Sequence, residues 1–483
     1  MYLGFDLGTS ALKAVLINNS GEVIDQQSHA YPVSQPKPLW SEQNPEDWWQ
    51  AIQAVTHQLG RAHDLSNLRA MGIAGQMHGA TLLDNHGQVL RPCILWNDGR
   101  SFQECEDLMR EHADFCERSG NLAMPGFTAP KLVWVARHEP EVFKQLAKVL
   151  LPKDYLVWRL TGVYASDMSD AAGTLWLNPA KRDWDDQLLA ATGLNRTHMP
   201  ELFEGNQIVG HLNADIAKEL GLPEIPVVAG AGDNAAGAVG VGIVDAGDAF
   251  LSLGTSGVLF VASSAHHANP ENTVHAFCHC LPDRWHQMAV SLSAANCLSW
   301  FSGLVDKEVP TLLQELEDSG IDQTQVIFLP YLSGERTPHN DPMASACFFG
   351  ATNATTRAEL TLAILEGVAF SFADGRDALL SAGTLFKQIS LIGGGARSGR
   401  WRQIIADVLN QPLVFRDGGE VGPGLGAARL AHLAIEPERL ESICRAPEVL
   451  AHHQPDPEKQ HYYQNRLSKY RQLYQITQHL NRE

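Results

Sequence analysis

A four-residue motif occurs twice in this chain and limits what it can fold into more than any other feature: Leu7-Gly8-Thr9-Ser10 near the start and Leu253-Gly254-Thr255-Ser256 just past the middle. Each copy follows one short apolar segment (residues 2–5; 249–251) and precedes another (residues 11–17; 257–261), the pattern of a β-hairpin with a Gly-Thr-Ser turn. The repeat predicts two related halves, each opened by an equivalent hairpin, with a boundary near Asp245-Ala246-Gly247. Length agrees, since 483 residues exceed what one hydrophobic core of roughly 250–300 residues accommodates. The expected domains are therefore 1–245 and 246–483, with a cleft between them.

Glycine turns let backbone N–H groups approach phosphate oxygens, and the adjoining hydroxyls add donors. Gly8, Thr9 and Ser10, facing Gly254, Thr255 and Ser256, are thus candidates to clamp a polyphosphate, with Lys13 one strand further on as a source of positive charge. The hairpins differ at one chemically important position: Asp6 precedes the first motif where Ser252 occupies the second. A single carboxylate beside phosphates suits a Mg²⁺ ion that keeps most of its waters, which makes Asp6 the metal candidate. A G-x-x-x-x-G-K-[ST] phosphate loop is absent. The formal charge of −19 argues against nucleic acid and anionic membrane partners, and leaves phosphate binding to local devices.

In the second half, an apolar segment (residues 389–392) runs into Gly393-Gly394-Gly395-Ala396-Arg397-Ser398 and then a helical pattern through Trp401, Ile404, Ile405, Val408 and Leu409. Gly394, Gly395 and Ala396 could admit the face of an adenine or its phosphates, or could serve tight strand-to-helix packing. A dinucleotide fingerprint fits poorly, because Ser398 stands where its last glycine belongs, although Asp417 lies about 20 residues on. Residues 418–424 form a third glycine-rich segment that opens another helix.

Asp233 lies at the mouth of a small-residue helix, shortly before the expected boundary. Two roles are open to it: helix N-cap, or a base accepting a hydroxyl proton during attack on phosphorus. Gln76-Met77-His78-Gly79 and Trp96-Asn97-Asp98-Gly99-Arg100 concentrate polar donors, an aromatic wall and a forked guanidinium, an inventory suited to a polyol. The eight cysteines, with no C-x-x-C pair, read as buried free thiols, Cys278-His279-Cys280 included. The start of the chain shows neither basic leader nor apolar core segment, and no apolar run reaches membrane-spanning length, so a cytoplasmic protein is expected.

At these residues the sequence resembles the FGGY family of carbohydrate kinases. Gly126-Phe127-Thr128-Ala129-Pro130-Lys131-Leu132-Val133-Trp134 is similar to one family signature; Phe348, Gly350, Glu359, Leu360, Ala363 and Glu366 are similar to the other, with Ala351 where a larger aliphatic residue is usual. The resemblance implies an α/β fold of two duplicated actin-like, hexokinase-like (ribonuclease H-like) domains, with ATP and Mg²⁺ as cofactors. It also implies Asp233 as proton acceptor, Asn234 beside it in the substrate site, the two hairpin loops at the phosphates and residues 394–396 at the adenosine. Gln76 to Gly79, Trp96, Asp98 and Arg100 look like the versions in members that act on D-xylulose, with Met77 and His78 touching the sugar. The family also suggests a homodimer.

Overall fold

The computed structural model describes residues 1–416 and 422–480. Asp417 and residues 418–421 lie outside the described residues. Its framework is two seven-stranded mixed sheets. In the first, strand Tyr2–Leu7 pairs antiparallel with Ala11–Ile17, which pairs with Val23–Ala30, and parallel with Ala70–Gly75 on its other side. In the second, Asp248–Leu253 pairs antiparallel with Gly257–Ser263, which pairs with Trp285–Ser291, and parallel with Gln388–Ile392. The same pairing pattern is built twice, giving the two related halves that the repeated motif predicted and the duplicated actin-like architecture that the family resemblance implies.

The central strands are buried along nearly their whole length, as strands covered on both faces are. Helix Gly422–Ile435 comes late in the chain yet packs on the first sheet, against strands Tyr2–Leu7 and Ala70–Gly75 and against helix Asp233–Gly240. Glycine makes that approach possible: a Cβ on Gly4 would collide with the Gly424 carbonyl, and one on Gly426 with the Ala236 carbonyl. Strand pairing sets the start of helix Asp233–Gly240 near Asp6: Ala231 and Gly232 pair with Ala74 and Gly75, which pair in turn with Asp6 and Leu7.

Other elements match the sequence pattern. Helix Gly399–Leu409 buries Trp401, Ile404, Ile405, Val408 and Leu409. Thr356 and Glu359 cap helix Arg357–Ser381 reciprocally. Helix Gln460–Leu480 buries Tyr463, Tyr470 and Tyr474, while Leu480 at its end is exposed. Six of the cysteines are buried, Cys278 and Cys280 among them, and all eight are free thiols. Among the described residues no helix is long and apolar enough to cross a membrane.

Candidate active site

A pocket of about 280 Å³ opens where the two halves meet. Met77, His78, Trp96, Met124, Phe127, Asp233 and Asn234 line it from the first half, and Ser256, His275, Phe277, Met288, Val290 and Arg336 from the second.

Asp233 stands at the first position of helix Asp233–Gly240, with Gly232 as the N-cap. Its carboxylate accepts the Asn234 backbone N–H at 2.7 Å and the Asn234 side-chain amide at 2.9 Å. Desolvation pushes the carboxyl up to about 6, against the hydrogen bonds from Asn234 that favour its charged form. Asp233 also faces Asp6, which burial and the Asp233 charge push up to about 7, with Lys13 opposing. Lys13 is the direct cross-strand partner of Asp6, so the two side chains share a face of the hairpin. Among the described residues none hydrogen-bonds to the Asp6 carboxylate. Nor do they include a group of three or more His, Cys, Asp or Glu placed to hold a metal ion. Two facing carboxylates, with Asp6 lacking a hydrogen-bond partner among the described residues, would suit a hydrated Mg²⁺.

His78 takes a left-handed backbone conformation, φ 69°, uncommon for a residue with a side chain. Lys131, fully buried, holds it there: its ammonium donates to the His78 carbonyl and to the Gly126 carbonyl, both at 2.8 Å. Thr128 Oγ1 donates to the same His78 carbonyl at 3.1 Å. Burial pulls the Lys131 ammonium down to about 7. The His78 ring lies edge-on to Phe127, and its Nδ1–H donates to the Gly173 carbonyl at 2.7 Å. Because burial drops its pKa to about 3, His78 is neutral, and Nε2 is left with a lone pair to accept a hydroxyl proton.

The first loop is braced from beneath. Tyr31 donates to the Gly8 carbonyl at 2.5 Å, Gln43 to the Thr9 carbonyl at 2.6 Å, and Trp96 Nε1 to Thr9 Oγ1 at 2.9 Å. In the second half, Gly393 and Gly395 pack so closely on Leu253 that a Cβ on either would clash, which ties the triple-glycine turn to the other hairpin. Gly394 faces open space, whereas Ala396 is buried, its N–H donating to the Gly393 carbonyl and its own carbonyl accepting from Arg402.

Several residues read from the sequence as sugar contacts do not line the pocket. Gln76 is buried between Thr9 and Gln43, donating to Gln43 Oε1 at 2.8 Å. Asp98 and Arg100 form a buried pair at 2.7 Å that also engages Glu42, with the guanidinium 3.6 Å over the Trp40 ring. Gly79 packs on Pro152. Sequence cannot show Trp40, Glu42 and Gln43 closing over these groups. Conversely, His275, Phe277 and Arg336 enter the pocket from the second half, and the sequence reading assigns none of them to the sugar site.

Two family models cover this arrangement: the N-terminal domain of the FGGY family of carbohydrate kinases matches residues 1–240, and the C-terminal domain residues 249–435. The chain belongs to the FGGY family of carbohydrate kinases. Among FGGY relatives, the xylulose kinase of Escherichia coli (strain K12) is 54% identical over 478 residues, spanning 98% of this chain and 99% of that protein. The xylulose kinase of Klebsiella pneumoniae is 52% identical, with 96% of each chain covered. A crystal structure described as a xyloylose kinase from Brucella ovis superposes with a TM-score of 0.95 at 46% identity over 99% of both chains.

Proposed function

We propose that this carbohydrate kinase transfers the γ-phosphoryl group of Mg·ATP to the 5-hydroxyl of D-xylulose, giving D-xylulose 5-phosphate and ADP. The observation that carries the reading is the pocket itself: sugar-sized, walled by both halves, with the Asp233 carboxylate reaching into it and Asp6 and the first glycine loop close by. High identity to xylulose kinases over nearly the full chain supports the choice of sugar.

In this reading residues 1–245 carry most of the sugar site and residues 246–483 the nucleotide site. His78 Nε2 accepts a sugar hydroxyl, Trp96 and Phe127 cover the carbon chain, and Arg336 donates to the sugar end remote from Asp233. The sugar's 5-oxygen attacks the γ-phosphorus, the bond to the β,γ-bridging oxygen breaks, and the hydroxyl proton passes to Asp233. A carboxylate with a pKa of about 6 is ionised at neutral pH yet basic enough to take that proton. Backbone N–H groups of residues 8–10 and 254–256, with Lys13, cradle the phosphates, and residues 394–396 border the nucleotide. Asp6 would hold Mg²⁺. When bound, that ion neutralises charge on the β- and γ-phosphates. Positioning of the reactants does most of the rest.

The test is ADP release measured with D-xylulose, D-ribulose, L-fuculose, D-gluconate and glycerol in turn. The reading predicts the highest kcat/KM for D-xylulose by at least about tenfold. Preference for any other sugar overturns it, and sugar-independent hydrolysis throughout would favour an ATPase without a sugar substrate.

A further inference from the structure

Behind the pocket lies a charged cluster with no place in the reaction just described. Lys153, whose side chain is wholly buried, ion-pairs with Asp154 at 2.6 Å and Asp167 at 2.9 Å, and lies 3.8 Å from Asp170. All three carboxylates are sealed from solvent as well. Neither oxygen of Asp170 has a hydrogen-bond partner, and desolvation holds this carboxyl far toward its neutral form. Isolating so many ionisable groups from water is expensive, and an apolar core of the same volume is commonly no less stable. The cluster therefore needs a reason.

Its outward connection supplies one. Ser169 directs its hydroxyl proton to Asp167 Oδ2 at 2.5 Å, and its backbone N–H donates to the same oxygen at 2.8 Å. With its one proton directed at Asp167, the Ser169 hydroxyl can only be an acceptor on the other side. The group it accepts from is the Gly232 backbone N–H at 3.1 Å. Gly232 is the N-cap residue immediately before Asp233, and it pairs with Gly75 on the strand leading to Met77 and His78. Lys153 packs on that same Gly75, where an added Cβ would lie 3.0 Å from the Lys153 Cβ.

We propose that Lys153, Asp167 and Ser169 form a buried relay that positions Asp233: the lysine pairs with Asp167 and fixes its carboxylate in place, Asp167 orients the Ser169 hydroxyl, and that hydroxyl fixes the peptide from which the base projects. Ser169 and its partners are positioning residues that never touch the sugar. The inference rests on the reading of Asp233 as the base.

The experiment uses the full chain with Ser169→Ala, Ser169→Thr and Asp233→Asn. Sugar-binding sites are counted by calorimetry with D-xylulose, and turnover is expressed per binding site, so unfolded protein does not enter the number. Ser169→Ala is expected to lower kcat per site by roughly tenfold, as loss of one buried hydrogen bond at the base implies, with the sugar Kd changing less than about threefold. Ser169→Thr, which keeps the hydroxyl, is expected to recover kcat to within about threefold of wild type. A purely structural serine would cost binding sites and leave kcat per site unchanged. Wild-type kcat per site in Ser169→Ala, or Ser169→Thr no faster than Ser169→Ala, overturns the relay while leaving Asp233 as base. Full turnover in Asp233→Asn overturns both.

Discussion

Trp96 donates its indole N–H to the Thr9 hydroxyl at 2.9 Å, so one side chain both walls the sugar pocket and pins the first glycine loop. In the proposed reading, the sugar and phosphate sites thereby share a part.

The Trp96→Phe variant keeps most of the aromatic wall and removes only that donor. A net hydrogen bond of about 1 kcal/mol corresponds to roughly fivefold in rate. Steady-state kinetics should show kcat/KM falling by about that factor for both D-xylulose and ATP. A loss confined to the sugar would mean that the bond does not transmit to the loop.

The Asp233 charge opposes ionisation of Asp6, and both carboxyls are raised above the ordinary value of 3.8, Asp6 to about 7 by burial and that charge, and Asp233 to about 6 by desolvation. A carboxyl whose folded pKa is raised contributes its stability at pH values below the unfolded pKa, and that contribution disappears as pH climbs through the folded one. The ligand-free protein should lose stability from these two groups between about pH 4 and pH 7. Thermal melts of Asp6→Asn should therefore show a Tm above wild type at pH 8, by about 2 °C or more, with the difference closing towards pH 4. A lower Tm for the variant at pH 8 would show that Asp6 already has a stabilising partner.

Arg336 reaches the pocket from the second half, its guanidinium 3.4 Å from the Nε2 of His275. Burial drives His275 well below the usual imidazole range, so that ring is a neutral acceptor. Arg336→Gln should raise KM for D-xylulose by roughly 10- to 100-fold, the size expected for hydrogen bonds from a charged donor, with KM for ATP changing less than about threefold. Equal effects on both substrates would place the arginine in the second half's packing instead.

Much of this molecule was legible in its sequence, for physical reasons that differ from part to part. The hairpins at residues 2–17 and 248–263 were readable because a glycine turn between apolar strands is a local signal. Met77, His78, Trp96 and Asp233 were readable as a pocket because each stands just beyond a buried strand end. Asp98 and Arg100 stand outside the pocket lining, since an Asp and an Arg two apart look the same in sequence whether they face a ligand or each other; here Trp40, Glu42 and Trp134 pack around them. The Ser169 connection to Gly232 and the entry of Arg336 depend on contacts between remote segments, for which no local pattern exists. Nor does the composition of residues 422–435 indicate that this helix rests on the first sheet.

The central claim is that Asp233 takes the sugar's proton, and Asp233→Asn tests it with little change of shape. D-xylulose-dependent ADP release should be measured together with calorimetric affinities for D-xylulose and nucleotide on the same sample. The account predicts a fall in kcat of about 10²- to 10⁴-fold, the range for losing a positioned general base, with both affinities within about threefold of wild type. A kcat near wild type with those affinities intact would contradict it.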